Sequence, residues 1–256
     1  MSQDPVNTVI DALLKARGAH RPVNASALDN VLSTAQQAYA VQAGVAERMG
    51  WFSARKPMHW KSGGPSRQAA LTHAPLPPGG VWASPAAAGE FLFNLRYIEA
   101  EVALRLGGDV DQAMADSLDE ASASTLIDAM AVSIEIVDSR WAEAMSASAL
   151  LKLADLQSHG ALILGEWAPW IPVDWTQQTC RVSIGQQPVV ERQGTHPLGN
   201  PVWGISQWLR HATQNANTVP AGTVVTTGSW VGMLDAQAND RVRVEFDGIG
   251  VAQVQL

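Results

Sequence analysis

Residues 96–106 read RYIEAEVALRL and show the alternation of polar and apolar side chains that is typical of a half-buried strand. Alternate side chains of a strand share one face, so Glu99 and Glu101 point the same way, with their Cα atoms roughly 7 Å apart. The opposite face is apolar and carries Ile98, Ala100 and Val102. This stretch therefore predicts a strand that buries one face and presents two carboxylates on the other.

Short apolar runs bounded by glycine or polar residues recur after this stretch and predict further strands. They are a strand at 128–141 (DAMAVSIEIVDSRW), a strand pair around Gly160 at 156–167, a hairpin at 181–194, and strands at 222–232 and 240–256. Two segments between them differ, since residues 111–129 suit helix or loop and residues 201–212 form an amphipathic pattern typical of a helix.

The first fifty residues predict two helices. Asp4 is placed to cap the first, which Gly18 ends, and the second begins near Ser26 and ends before Gly50. Helices followed by many strands indicate an α+β fold with a β-rich main body and an N-terminal helical part. We expect the boundary between the helical segment 1–50 and the main domain 51–256 to lie at Gly50.

Residues 51–90 are rich in Pro, Gly and Trp, and no Asp or Glu occurs between Arg48 and Glu90. The segment predicts a long, ordered loop, and loops of this length in a compact domain are usually functional. Gly63 and Gly64 would allow it to act as a lid.

Composition excludes several classes of protein. The chain has 256 residues and a net charge of -7, with 17 Lys and Arg against 24 Asp and Glu, which argues against nucleic acid binding. A single cysteine, Cys180, excludes an internal disulfide framework and a cysteine-rich zinc site. No run approaches the ~18 apolar residues of a membrane span, and the start shows no signal pattern. We therefore expect a cytoplasmic protein.

Glu135 adds a third candidate carboxylate to Glu99 and Glu101. It lies between Ile134 and Ile136 in a run that reads as buried, where an acid is costly unless it is paired or binds a metal. Three carboxylates without a Cys or His cluster would suit Mg²⁺ or Mn²⁺. For Glu99 and Glu101, the alternative is that they lie on an exposed strand face with Arg96 or Arg105 nearby.

Other segments carry weaker signals. Lys61 lies between Trp60 and two glycines, where an aromatic surface could lower its pKa for acid or base work, although an exposed surface lysine is the alternative. Asp155 and Ser158 could bind a carboxylate or form a turn. The remaining candidates could cradle an anion or end a strand, and they are Thr226, Thr227 and Gly228.

Taken in order, these segments resemble the fumarylacetoacetate hydrolase superfamily, and within it the branch of 2-keto-4-pentenoate hydratases and 4-oxalocrotonate decarboxylases. No single motif is specific, but the ordered set is. It comprises AYAVQ at 38–42, WKSGG at 60–64, YIEAEVAL at 97–104, IEIVDSRW at 134–141, ADLQSHGALILG at 154–165, and the late helix and glycine turn after His196.

The resemblance implies a β-rich roll of mixed sheets and a metal-dependent lyase. Glu99, Glu101 and Glu135 would bind Mg²⁺ or Mn²⁺, and the substrate would be a 2-oxo or 2-hydroxydienoic acid that reacts through a metal-stabilised enolate. Lys61 would move protons to and from the carbon chain. Asp155, Ser158, Thr226, Thr227 and Gly228 would help to hold the substrate. Relatives associate, so a homo-oligomer is expected.

The chain departs from the branch in one respect that leaves the reaction open. Family hydratases carry an acid after the lysine, whereas here none occurs before Glu90, so His59, His73 or a water would have to substitute. Decarboxylation is one alternative. An acylpyruvate-type C–C hydrolase with His59 or His159 as base is another, and a catalytically weak partner subunit is a third.

Overall fold

The computed structural model describes residues 4–256, in which the strands form two sheets. The strands are β1 (His59–Gly63), β2 (Thr72–Pro75), β3 (Val81–Ala83), β4 (Ala86–Ala87), β5 (Tyr97–Leu106), β6 (Ile127–Val137), β7 (His159–Leu164), β8 (Ala168–Pro169), β9 (Thr179–Ile184), β10 (Val190–Gln193), β11 (Val224–Thr226), β12 (Leu234–Asp235), β13 (Arg241–Phe246) and β14 (Gly250–Gln255).

The larger sheet is mixed and has the order β2-β1-β11-β5-β6-β7-β3, with β12 paired to β5 and β8 paired to β6. Its long antiparallel centre, β5 with β6, sets Glu99 opposite Glu135. The parallel pair β1 and β11 sets Lys61 beside Thr226. The smaller sheet has the order β10-β9-β13-β14-β4. The sheet register alone therefore gathers the charged residues of three strands on one area of the larger sheet.

The helices are α1 (Pro5–Ala19), α2 (Ala35–Met49), α3 (Gln112–Ser117), α4 (Glu120–Ser124), α5 (Ala149–Ala154) and α6 (Ile205–Ala212). Single 3₁₀ turns occur at Ser26–Leu28, Pro78–Gly80, Ala144–Ser146 and Pro201–Gly204. Within residues 4–256, no helix is long and apolar enough to span a bilayer. The predicted α+β class is confirmed.

Three hydrophobic clusters hold these elements together. The main one joins the facing sides of the two sheets, where β14 packs against β6, and it includes Trp208 of α6. The second joins α1 and α2 to α5 through residues such as Val41 and Trp141. A smaller third cluster, which includes Ala103 of β5 and Leu162 of β7, lies on the opposite face of the larger sheet. Burying each large apolar side chain contributes about 1.5–3 kcal/mol, so both faces of the central strands are fixed in place.

The N-terminal helices differ in detail from the sequence prediction. Asp4 does cap α1 by accepting from the Val6 N–H, but the helix continues through Gly18 to Ala19. The second helix begins at Ala35 and not near Ser26, because Thr34 forms a reciprocal capping box with Gln37.

The prediction of a long loop over residues 51–90 is wrong. The segment contains β1 to β4, and β1 lies inside the larger sheet between β2 and β11. Trp60 packs edge-on against Trp208, with ring centroids 6.2 Å apart. The part that carries Lys61 is thus a fixed strand. These strands were missed because they are short and are interrupted by proline and glycine.

The segment at 156–167 is also not a strand pair. Three consecutive residues, Leu156, Gln157 and Ser158, have left-handed backbone angles with φ of 53°, 56° and 59°. They turn the chain from α5 into the single strand β7. Non-glycine residues rarely adopt this conformation, at a cost of about 1–2 kcal/mol each, and such positions cluster at functional sites. The predicted hairpin at Gly185 and the helix within 201–212 are confirmed.

Candidate metal centre and substrate pocket

The carboxylates of Glu99, Glu101 and Glu135 meet on the larger sheet. One oxygen from each lies within 4.8 Å of the others. Glu99 is half-buried, whereas Glu101 and Glu135 are buried. Cross-strand pairing explains the approach, because residues directly opposite on antiparallel strands have Cβ atoms about 4.5–5.5 Å apart. The alternative of an exposed face neutralised by arginine does not describe this cluster.

Glu135 is the best connected of the three. Its Oε1 accepts from the ammonium of Lys61 at 2.5 Å and lies 3.0 Å from Nδ1 of His159. Its Oε2 is buried and has no hydrogen-bond partner. Since an unsatisfied buried carboxylate oxygen is costly, the buried Oε2 is suited to binding a cation.

Glu101 is held by the turn that follows β11. Its Oε2 accepts a short hydrogen bond from the Thr226 hydroxyl, which also contacts the hydroxyl of Ser133 at 2.9 Å. The backbone of Gly228 adds a further hydrogen bond. Gly228 has a φ of 106°, a conformation that side chains other than glycine rarely adopt. This turn therefore fixes the orientation of Glu101.

The cluster carries more negative than positive charge. Burial and the neighbouring Glu135 raise the pKa of Glu99 to about 8 and the pKa of Glu101 to about 7. Burial also raises the pKa of Glu135, but Lys61 and His159 outweigh it and lower that pKa below its usual value. Three carboxylates face one ammonium, so the ionised cluster has two uncompensated negative charges, which match one divalent cation.

The pKa of Lys61 is shifted in the direction opposite to the sequence prediction. Burial lowers its pKa, but the three glutamates outweigh burial and raise the pKa above the usual value. Trp60 points to the other face of β1, as the alternating burial of that strand shows. Lys61 is therefore protonated, and its ammonium donates hydrogen bonds to Glu135 and to the Gln157 carbonyl, the latter at 3.3 Å.

The donor set fits a hard divalent cation. It is made of carboxylate oxygens only, it includes the unpartnered Oε2 of Glu135, and it has the matching excess charge. Glu99, Glu101 and Glu135 are thus the residues that would hold such a cation.

A pocket of about 360 Å³ opens above this cluster. Glu99, Glu101 and Lys61 form its charged floor, while Thr226 and Gly228 line one side. Its remaining wall includes Pro65, Val137, Met145, Gln157, Pro197 and Met233. Gln157, Met145 and Met233 were not predicted as lining residues, because their approach to the pocket depends on the left-handed turn and on two surface segments.

A larger cavity of about 490 Å³ lies elsewhere, lined by residues that include Arg17, Trp51, Phe91 and His159. None of the three glutamates lines it. We assign the reactive site to the smaller pocket because that is where the carboxylates and Lys61 converge.

The structure does not bring Asp155 into the pocket. Its carboxylate is fully buried and accepts from Arg140 at 2.7 Å and from Arg17 at 3.0 Å. Burial and the charge of Arg140 lower the pKa of Arg17 to about 10. Arg140 also lies 3.5 Å from Asp138, with which it forms a local ion pair. Asp155 ties α1 to the end of β6.

We expect Asp155→Ala to lower the free energy of unfolding by about 3–5 kcal/mol, since it leaves the Arg17 guanidinium without its carboxylate partner and the buried Arg140 with Asp138 alone. Urea denaturation measures this loss. The matched control is Asp247→Ala, which removes an exposed partner of Arg181 and should cost no more than about 1 kcal/mol. Equal losses in the two variants would contradict the assignment.

Ser158 and Thr227 also lie outside the pocket lining. Ser158 is fully buried, and its hydroxyl has no partner. The Thr227 hydroxyl donates to the Val102 carbonyl at 2.7 Å. Of the five predicted substrate-binding residues, Thr226 and Gly228 reach the pocket and Asp155, Ser158 and Thr227 do not.

The histidines considered as bases do not line this pocket either. His159 is buried against Glu135. Nδ1 of His73 forms a 2.9 Å hydrogen bond with the Ser62 hydroxyl. Burial and the neighbouring His211 lower the pKa of His73 to about 3. Burial also lowers the pKa of His59.

Comparisons with known proteins agree with the fold. Residues 38–256 match the family described as Fumarylacetoacetate (FAA) hydrolase C-terminal. Two solved structures of a 4-oxalocrotonate decarboxylase from Pseudomonas putida G7 share the architecture. The one complexed with calcium and acetate has a TM-score of 0.82 at 18% identity, covering 100% of this chain and 98% of that one. The one complexed with magnesium and adipate has a TM-score of 0.80 at 18% identity, covering 97% of each chain.

A more distant structure is 2-hydroxyhepta-2,4-diene-1,7-dioate isomerase from Mycobacterium marinum. Its TM-score is 0.55 at 15% identity, and the match covers 78% of this chain and 73% of that one. At these identities the likeness concerns the fold.

Proposed function

Since the chain belongs to the fumarylacetoacetate hydrolase family, we propose that it is a divalent-metal-dependent lyase acting on a 2-oxo or 2-hydroxydienoic acid, similar to 2-keto-4-pentenoate hydratase. The observation that carries the proposal is the convergence of Glu99, Glu101 and Glu135, with a buried unpartnered oxygen on Glu135, beside a protonated Lys61. Mg²⁺ or Mn²⁺ is the proposed cofactor.

When bound, a divalent cation would supply positive charge that stabilises negative charge developing on the 2-oxygen of the substrate. The chain's own part is proton transfer and orientation. Lys61 holds a proton at the pocket floor and is placed to deliver it to the carbon chain. Thr226 and Gly228 orient Glu101, and they border the space proposed for the substrate carboxylate.

The alternatives receive less support from the pocket. Hydrolysis of a C–C bond needs a base near the scissile ketone, and neither His59 nor His159 lines the pocket among the described residues. Decarboxylation uses the same electron sink as hydration, so it stays the second candidate. The convergence of three carboxylates beside Lys61 disfavours a merely structural subunit. Self-association stays a prediction.

The direct test is a screen of 2-oxo and 2-hydroxydienoic acids with Mg²⁺. Loss of the conjugated ultraviolet absorbance without CO₂ indicates hydration, and evolved CO₂ indicates decarboxylation. No turnover of any dienoic acid, with metal bound, would overturn the proposed reaction.

The pKa values also predict how a cation stabilises the fold. The pKa values of Glu99 and Glu101 are raised to about 8 and about 7, so their contribution to stability is present while they are protonated and is lost as the pH rises through these values. We expect the rise in Tm caused by saturating Mg²⁺ to be larger at pH 8.5 than at pH 6. The reason is that Glu99 and Glu101 are already ionised at pH 8.5, so a cation that binds there does not have to displace their protons.

Thermal unfolding with and without Mg²⁺ at both pH values measures this difference. Ionisable groups that do not contact the cation affect the Tm equally with and without Mg²⁺, so their effects cancel in the difference between the two Tm values. An equal increment at the two pH values would contradict the assigned cluster.

A further inference from the structure

The larger cavity, of about 490 Å³, is a second concave space that the proposed reaction does not use. Helix α1 contributes Arg17 to its lining, the segment after α2 contributes Trp51, and β7 contributes His159. Neither Lys61 nor any of the three glutamates belongs to the described residues that line it. What this cavity binds is therefore a question separate from the chemistry at the carboxylate cluster.

Exposed apolar side chains surround the mouth of the larger cavity. Met49, Phe91 and Leu92 all line it and are all exposed to solvent. Phe91 is held in place by Trp82, with ring centroids 5.3 Å apart, and Trp51 adds a further aromatic surface. Apolar side chains that are exposed together around a concave space are typical of a site that binds a ligand.

One ring nitrogen of His159 has no partner in the wall of this cavity. Nδ1 lies 3.0 Å from Glu135 Oε1, whereas Nε2 is buried and makes no hydrogen bond. An ionised carboxylate can only accept, so Nδ1 carries the hydrogen. Burial lowers the pKa of His159, so the ring is neutral and Nε2 is a free acceptor. It lies beside Gly80, where an added Cβ would be 4.0 Å from Nε2.

A free donor accompanies this free acceptor. The Nε of Arg17 is buried and has no hydrogen-bond partner, although Nη2 of the same side chain donates to Asp155 at 3.0 Å. The Arg17 guanidinium also lies over the ring of Trp51, 5.0 Å from the ring centroid. Buried polar atoms are costly when they are unpaired, so a ligand that satisfies both would gain affinity.

The charges at the polar end of the cavity are already balanced. The guanidinium groups of Arg17 and Arg140 share the carboxylate of Asp155, and Arg140 also pairs with Asp138. Two positive charges thus face two negative charges. Glu90, a further carboxylate of the lining, is exposed and remains hydrated. A charged ligand group would therefore be desolvated here without an unpaired opposite charge, which favours an uncharged ligand.

We propose that the larger cavity is a second binding site and that its ligand is a small, uncharged phenol. A hydroxyl group both donates and accepts, which matches the free acceptor on His159 and the free donor on Arg17. The aromatic ring would lie against Trp51 and Phe91, where flat apolar surfaces are available. This site goes beyond the proposed function and does not depend on it.

The test uses 4-methylphenol as the probe and compares it with two molecules of similar shape. Toluene lacks the hydroxyl group, and 4-methylbenzoate carries a negative charge at neutral pH. Ligand-observed NMR titration of the full chain in saturating Mg²⁺ should give 4-methylphenol a Kd of about 0.1–1 mM. The Kd of each comparison molecule should be at least about tenfold higher.

Two variants locate the bound probe. Leu92→Ala removes an exposed aliphatic side chain at the mouth and should raise the Kd of 4-methylphenol by about fivefold. The matched control, Ile171→Ala, removes an exposed aliphatic side chain outside the lining and should leave that Kd unchanged. His159→Asn keeps an amide N–H near the position of Nδ1 but lacks Nε2, so it should abolish the preference for 4-methylphenol over toluene.

Each contrary outcome overturns a stated part of the inference. Failure of 4-methylphenol to bind the unmodified protein would remove the second site, and tighter binding of 4-methylbenzoate would show that the ligand is an anion. A general loosening of the fold in His159→Asn would weaken both ligands and leave the preference intact, which would contradict the contact with Nε2. If Met233→Ala weakened binding and Leu92→Ala did not, the probe would lie in the smaller pocket and the inference would be wrong.

Discussion

Replacement of Lys61 by alanine is expected to lower turnover of a 2-hydroxydienoic acid by about 10³-fold. Lys61 is the protonated group at the pocket floor, and its ammonium lies 2.5 Å from Glu135 Oε1. Mn²⁺ affinity should be unchanged or tighter, because the substitution removes a positive charge beside the carboxylates. Steady-state kinetics gives the first quantity and calorimetry the second.

Two further variants distinguish chemistry from structure. Lys61→Arg keeps the ion pair with Glu135 but holds its proton too firmly to transfer it, so it should remain nearly as inactive as the alanine variant. Lys56→Ala removes an exposed lysine that donates to the Thr218 carbonyl, and it should turn over normally. Normal turnover by Lys61→Ala would show that the proton-transfer role is wrong.

Substitution of a carboxylate of the cluster is expected to weaken Mn²⁺ binding by about 10³-fold, since affinity for a hard cation depends on the number of charged oxygen ligands. The variants are Glu99→Gln and Glu135→Gln, each titrated by calorimetry. The matched control is Glu166→Gln, which changes an exposed glutamate outside the cluster and should leave the affinity unchanged. Unchanged affinity in both cluster variants would remove the metal site.

The same variants should differ in stability without metal. At pH 8.5, above the raised pKa of Glu99, Glu99→Gln removes one of three crowded negative charges and is expected to raise the Tm of the metal-free protein. Saturating Mn²⁺ should stabilise this variant less than the unmodified protein. Glu135→Gln instead leaves Lys61 without its carboxylate partner and should lower the metal-free Tm. A structural role alone would not produce this opposite pair of shifts.

Local pattern was a sufficient guide wherever a residue's role depends on its own strand. The alternation around Glu99 and Glu101 predicts that they share a face, and Glu135 between two isoleucines predicts a buried acid. Both follow from the period of a strand and from the cost of burying charge. The ordered resemblance to a known superfamily extended these predictions to the family and the fold, which the match over residues 38–256 confirms.

Local pattern was a poor guide where long-range contacts decide. The sequence suggested that Asp155 binds a substrate carboxylate. In the structure, one oxygen of Asp155 instead accepts a hydrogen bond from Arg17, which lies 138 residues away in the chain. The strands within residues 51–90 are too short and too rich in proline to be recognised, and they form because the larger sheet offers them partners.

The sequence by itself determined the residue types of the site, the strand faces that carry Glu99 and Glu101, and the acidic character that matches a cation. Only the tertiary structure decided which residues meet. The register of β5 on β6 sets Glu99 opposite Glu135, the pairing of β1 with β11 brings in Lys61, and the rest of the pocket lining comes from separate segments of the chain. The physical reason is that alternation along a strand is local, whereas register and charge balance depend on groups brought together only when the chain folds.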